Sequence, residues 1–244
     1  MGWVDLHSHI LPGFDDGAPD LETSLQMCEA LHELGFTVIC ATPHVSQTMW
    51  NGAPEEVVAT ARIVEDDLLE RLRPPGNGGE VDLAIVTGGE HYLDAAFLQR
   101  LEDDRLLEYP LDRGVLVEVS LMPRVPHPGL REIMFRIRVK GLRPLFAHPE
   151  RYDAAHGSLD WIEELHNDGV GMLGDLLSLT GKSGRKSRKT LERMMDRGLI
   201  DGMCSDAHSV GDVHALEGAL ARLEKIAGGD ALESLMTWGR VFTG

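Results

Sequence analysis

Seven short apolar runs recur along the chain, and each gives way to a segment with helical character. Trp3–His9 alternates around Val4 and Leu6 as a strand does, and Asp20 can cap a helix over Leu21–Leu34 that Gly35 stops. Thr37–Ala41 is the second strand; a helix opening at Pro54 and ending near Leu72 follows it. Beyond a turn-rich stretch, Pro74–Gly79, lie a third strand over Val81–Thr87 and a helix over Ala95–Leu101. Val115–Val119, Leu142–Ala147, Val170–Leu173 and Ile200–Cys204 complete the strands. Helices over Leu130–Lys140, Leu159–Asn167, Lys186–Arg197, Ala215–Ala227 and Ala231–Trp238 follow them. Buried-type strands alternating with helices predict an α/β fold with a parallel sheet. A closed or nearly closed TIM-like barrel and an open doubly wound sheet both satisfy that order. With no internal repeat and no composition break, residues 1–244 read as one domain.

The polar residues favour the barrel. Six of the seven strand ends carry an imidazole or a carboxylate: His7, His9 and Asp16 at the first, His44 at the second, Glu90 at the third, Glu118 at the fourth, His148 at the fifth, and Asp206 with His208 at the last. A barrel collects its C-terminal strand ends at one mouth, which a flat sheet does not. In His7-Ser8-His9, period-two geometry puts both rings on one side, about 7 Å apart at the backbone, so both can grip one cation. Asp206-Ala207-His208 repeats that spacing. Each feature has a plain alternative in isolation: exposed strand-end histidines, or a solvated acidic turn at Asp15-Asp16-Gly17. Glu118 is different, because a carboxylate within Val115–Val119 must be paired or metal-bound if it is buried. His91 is not expected to act with Glu90, since adjacent side chains diverge. His and carboxylate donors suit Zn, Mn or Fe, and their joint placement predicts a multinuclear metal site and a hydrolase. Arg151, in His148-Pro149-Glu150-Arg151, offers a fork for phosphate.

Net charge is −17. That argues against a nucleic-acid binder, and an anionic substrate would have to be drawn in by local cations such as bound metals. Cys28, Cys40 and Cys204 form no CxxC and no paired framework, so the expectation is a cytoplasmic protein without disulfides, and Cys40 and Cys204 read as buried inert thiols. No Cys-x5-Arg loop of thiol-dependent phosphatases is present. No apolar run is long enough to enter a bilayer, and neither a signal peptide nor a myristoylation motif is expected at the start.

V-D-L-H-S-H-I-L-P-G-F-D-D-G-A, A-T-P-H, G-x-E, V-E, A-H-P-E-R, S-L-T-G and S-D-A-H occur in the order seen in PHP (polymerase and histidinol phosphatase) domains. Over nearly its whole length the chain resembles the bacterial manganese-dependent tyrosine phosphatases of capsule and exopolysaccharide operons, the CpsB/YwqE type. The resemblance implies a distorted seven-stranded (β/α)7 PHP barrel holding three Mn²⁺ ions, with Fe or Zn as alternatives. It implies His7, His9, Glu90 and Asp206 at one ion; Glu90, Glu118 and His148 at a second; and Asp16, His44 and His208 at the third. Arg151 would bind phosphoryl oxygens, a hydroxide bridging two ions would attack phosphorus, and His44, His208 or a metal-bound water could serve as acid if one is needed. The substrate implied is a phosphotyrosine protein, such as a tyrosine kinase of polysaccharide synthesis, with oligomerisation open. A small-molecule phosphatase of the histidinol-phosphate or nucleotide type is the alternative; a non-phosphatase metal hydrolase and a non-catalytic metal-binding module rank below it. The family's usual Arg after S-D-x-H is missing, leaving His214 as a substitute to test. Lys182, Arg185, Lys186, Arg188 and Lys189 form a basic cluster, either a solvated helix start or a docking surface for an acidic or phosphorylated tail.

Overall fold

The computed structural model describes residues 2–48, 54–73, 81–122 and 125–243, and the expected connection over Pro74–Gly79 lies outside them. The fold is α/β with parallel strands: β1 (Trp3–Ser8), β2 (Phe36–Ala41), β3 (His44–Val45), β4 (Ala84–Thr87), β5 (Glu90–Tyr92), β6 (Gly114–Glu118), β7 (Arg143–Ala147), β8 (Gly171–Asp175) and β9 (Gly202–Cys204). They divide into a three-stranded sheet, β1-β2-β4, and a six-stranded sheet, β3-β5-β6-β7-β8-β9, rather than one continuous sheet.

Two of the expected strands end where expected, but after a break the chain resumes in each case as a further short strand that was not expected. Thr42-Pro43 separates β2 from β3, where proline brings no N–H to a ladder. Gly88-Gly89 separates β4 from β5; a Cβ at Gly88 would lie 2.9 Å from the Tyr109 ring, and one at Gly89 2.9 Å from Leu107 Cβ, so only glycine lets the backbone pass. Backbone bonds cross the breaks: Gly88 N–H donates to Ala41 O and Glu90 N–H to Pro43 O, each at 3.0 Å. The resumed register sets His44 beside Glu90, and Tyr92 beside Glu118.

The first and last strands meet at a single bridge, Ser8 to Ala207, flanked by Asp206 N–H to His7 O (2.9 Å) and His9 N–H to Ala207 O (3.0 Å). Buried Asp5 reinforces this junction by accepting from the Ser205 amide (2.8 Å) and hydroxyl (2.5 Å). Burial pushes the Asp5 carboxyl up to about 6, against the pull of those bonds.

Both strand faces are buried, as expected of parallel sheets. Leu116, Leu145, Leu173 and Cys204 pack into one cluster with Val4 and Leu6, while Val115, Val117, Phe146 and Met172 join the larger cluster. Helices Leu21–Glu33, Pro54–Leu72, Phe97–Glu102, Leu130–Val139, Asp160–Asn167, Gly184–Asp196, Val210–Ala227 and Gly229–Thr237 match the expected ones within a few residues at most ends. Val210–Ala227 begins five residues before the expected start because Ser209 caps it, accepting from Asp212 N–H at 3.2 Å. Helices Asp153–Gly157, Leu176–Thr180 and Arg240–Thr243 and the 3₁₀ turn Pro149–Arg151 were not expected; each is too short to show a period. All three cysteines are buried, and burial raises their thiol pKa values. No described helix is long and apolar enough to cross a membrane.

Candidate metal centre and active site

Glu90 is the hub. It is fully buried where β5 resumes after the glycine break. Its Oε1 lies 3.2 Å from His7 Nε2 and 2.9 Å from His148 Nε2; its Oε2 lies 2.7 Å from His44 Nδ1 and 3.6 Å from His9 Nε2. Burial alone would raise its pKa, but charge on His7 and hydrogen bonds from His148 and His44 hold the carboxyl well below the usual range. Asp206 Oδ1 closes the inner shell, 3.1 Å from His7 Nε2 and 3.3 Å from His9 Nε2.

Outer partners aim the rings. His7 Nδ1 lies 2.7 Å from Thr42 Oγ1, and His9 Nδ1 lies 2.7 Å from Asp15 Oδ2, so both Nε2 atoms face the centre. Asp15 also accepts from Gly17 N–H (2.9 Å) and His44 N–H (3.0 Å). Gly17 permits this loop: a Cβ there would lie 2.1 Å from His9 O. Of the two adjacent aspartates, Asp15 is thus the buried orienting group, and Asp16 stands at the exposed rim. Asp16 Oδ1 is 3.5 Å from His44 Nε2 and 3.4 Å from His208 Nε2, and His208 stacks on His9 at 3.8 Å between centroids. Glu118, half-buried rather than enclosed, reaches His44 Nδ1 at 3.0 Å.

The nine expected donors therefore converge. Four overlapping groups have ligand atoms within 4.8 Å of one another: His7-His9-Asp206, His7-Glu90-His148, His44-Glu90-Glu118 and His9-Asp16-His44-His208. His44 stands with Glu90 and Glu118 as well as with Asp16 and His208, a sharing the sequence does not show. His7 Nε2 and His9 Nε2 are buried without a hydrogen bond, facing the carboxylates of Glu90 and Asp206. Clustered, unsatisfied imidazole nitrogens beside buried carboxylates are costly unless something binds them, and their chemistry fits divalent cations. His148 and Asp206 hold positive φ, 35° and 45°, an unusual backbone for non-glycine residues that concentrates at functional sites. His91 turns away, its Nε2 accepting from Leu107 N–H at 3.1 Å.

Beside this cluster opens a cavity of about 310 Å³ lined by Asp16, Arg151, Asp175, Lys182, His208 and Asp212, among others. The Arg151 fork contacts Asp206, and Lys182 contacts Asp212. His214 is exposed on its helix and is not among the lining residues, so the second cation at this cavity is Lys182. Asp175 occupies the one strand end without a predicted donor. It caps the next short helix through Leu177 N–H at 2.6 Å, and burial pushes it up to about 6. Its Asp-Leu-Leu-Ser context is that of an ordinary helix cap, so the sequence does not mark it as part of the cavity.

A model of the family described as capsular polysaccharide synthesis, CpsB/CapC, matches residues 3–238. Tyrosine-protein phosphatase YwqE of Bacillus subtilis (strain 168) is 30% identical over 229 residues, spanning 93% of this chain and 86% of the relative. The putative tyrosine-protein phosphatase CapC of Staphylococcus aureus is 26% identical over 207 residues, spanning 85% and 77%. A crystal structure from work on YwqE of B. subtilis and CpsB of Streptococcus pneumoniae, described as unique metal-dependent tyrosine phosphatases, superposes with a TM-score of 0.83 at 28% identity, covering 95% of this chain and 90% of that one.

Proposed function

The chain belongs to the CpsB/CapC family of capsular polysaccharide synthesis, and from that premise we propose that it is a metal-dependent protein-tyrosine phosphatase acting on a phosphotyrosine protein of that process. The observation that carries this is the convergence of four imidazoles on Glu90 beside a cavity with two cationic side chains. The two sheets read as halves of a distorted seven-stranded PHP barrel forming one domain, supported by the backbone bonds across both breaks. His7, His9, Glu90 and Asp206 would hold one Mn²⁺; Glu90, Glu118 and His148 a second; Asp16, His44 and His208 a third.

Such cations, when bound, acidify water toward neutral pH and offset phosphoryl charge. The chain's own groups do the rest. Arg151 presents two N–H donors to the non-bridging oxygens, and Lys182 adds a second positive charge at the same cavity. Asp212 positions Lys182 and accepts from the His208 backbone N–H at 3.1 Å, tying that residue to the same wall. Of the two candidate histidines, only His208 lines this cavity. Tyrosine, with a free pKa of about 10, needs little proton assistance to leave.

The Mn²⁺-loaded protein is expected to hydrolyse p-nitrophenyl phosphate and phosphotyrosine peptides and to lose both activities to chelator. Inactivity on every phosphomonoester after loading would sink the reading, and a strong kinetic preference for a metabolite would redirect it to small molecules.

Metal loading should also release protons. In the metal-free protein, burial opposes charge on His7, but Glu90 and Asp206 outweigh it and push the ring up to about 10; Glu118 and Glu90 likewise push His44 up to about 11. Raised folded values mean these ion pairs stabilise the metal-free protein fully below the ordinary histidine range and cease to do so as pH climbs through about 10 to 11. Cations must displace those protons, so Mn²⁺ should bind tighter at about pH 8 than at about pH 6. Calorimetry in buffers of different ionisation enthalpy reads the release directly; pH-independent binding without it would place the ions elsewhere.

A further inference from the structure

Helix Gly184–Asp196 carries Arg185, Lys186, Arg188, Lys189 and Arg193 in a chain of net charge −17. Among the described residues none of these five has an ion-pair partner, whereas Arg71, Arg100, Arg113, Arg131, Arg143 and Arg151 all do. Five unpaired cations thus sit on one helix of an otherwise acidic protein; of its two carboxylates, Glu192 is taken by Arg222 and Asp196 ends the helix.

Lys186, Lys189 and Arg193, spaced i, i+3, i+7, share a face. They line a groove of about 560 Å³ together with Asp153, His156 and Thr190. The one carboxylate there, Asp153, faces His156 at 3.3 Å. At the helix's other end, Lys182 and Ser183 line the catalytic cavity. The helix therefore leads from the phosphate site to the basic groove. A rise of about 1.5 Å per residue sets Lys186 about 5 Å and Arg193 about 15 Å along the helix from Ser183, which an extended peptide at about 3.3 Å per residue spans in two to five residues.

We propose that this groove binds acidic side chains of the protein substrate, carried about two to five residues from the phosphotyrosine in the cavity. The inference rests on the phosphatase reading and adds the substrate's sequence character to it. Nucleic acid fits poorly, since the acidic remainder of the molecule would repel a long polyanion. A membrane fits poorly too: the exposed large apolar residues, such as Met122, Phe135 and Val139, are not on this helix.

The test uses the full-length, Mn²⁺-loaded protein and two phosphotyrosine peptides differing only in Glu or Gln at the flanking positions. The acidic peptide should be favoured by about tenfold in kcat/KM, chiefly through KM, with the preference shrinking as salt rises. The combined change Lys186→Gln, Lys189→Gln, Arg193→Gln should erase the preference and leave p-nitrophenyl phosphate turnover unchanged; the exposed pair Lys186→Gln, Lys189→Gln serves if the triple variant misfolds. Equal turnover of both peptides by the unaltered protein, or a preference that survives in the variants, overturns the proposal. So does stronger displacement of a labelled acidic peptide by anionic lipid vesicles or duplex DNA than by unlabelled peptide. If nothing is hydrolysed, the phosphatase reading fails, and binding of an acidic phosphonate peptide, with and without the substitutions, still decides the groove.

Discussion

Glu90→Gln should leave a folded protein that takes up little metal and turns over substrate at least about a thousandfold more slowly. The substitution keeps the shape and removes the charge. Among the described residues, Glu90 is the one group within 3.6 Å of four imidazole nitrogens, and both of its oxygens are engaged. A neutral amide supplies one acceptor and two donors, and the donors would confront the very nitrogens that must stay free for a cation. Losing several kcal/mol of cation-derived transition-state stabilisation corresponds to about a thousandfold, at about 1.4 kcal/mol per decade. Metal analysis after gel filtration, the Mn²⁺-induced rise in Tm, and kcat/KM measure three consequences of one change. A Glu90→Gln protein that keeps its metal and its turnover would remove Glu90 from the centre of this account.

Arg151→Ala should lower kcat/KM by about a hundredfold to a thousandfold while metal content stays the same. Arg151 ends the 3₁₀ turn that follows β7, and its N–H donates to His148 O at 2.9 Å, so the fork is mounted next to the cluster of imidazoles and carboxylates rather than within it. Arg151→Lys should recover only part of the loss, since an ammonium retains charge but not the bidentate geometry. Two results would contradict this role. One is full activity in the alanine variant. The other is metal loss in parallel with activity, which would make the contact with Asp206, rather than phosphate, the purpose of the side chain.

The convergent donors were legible in the sequence because strand periodicity and chain order constrain where strand ends fall. His7 and His9 share a side through period two, and Glu118 signals itself as a carboxylate in an apolar run. The groups that orient them were not legible. Asp15 and Asp16 are chemically identical neighbours, and only the close approach of Gly17 to His9 makes one buried and the other a rim residue. Nothing local to the A-T-P-H segment marks Thr42 as the partner of His7 Nδ1. Lys182, in sequence one of a basic cluster at a helix start, lines the cavity beside Arg151, while His214, the substitute considered for the missing arginine, is exposed.

By itself, the sequence determined which donor types occur, in what order, and on which parallel strand ends, because backbone period and glycine or proline punctuation are local properties of a chain. Tertiary structure alone decided which atom of each donor faces inward, how His44 is shared, where the strands break into two sheets, and which cation joins Arg151 at the cavity. Those outcomes depend on contacts between residues as distant as Asp5 and Ser205, 200 positions apart, and on steric room that exists only once the strands have come together.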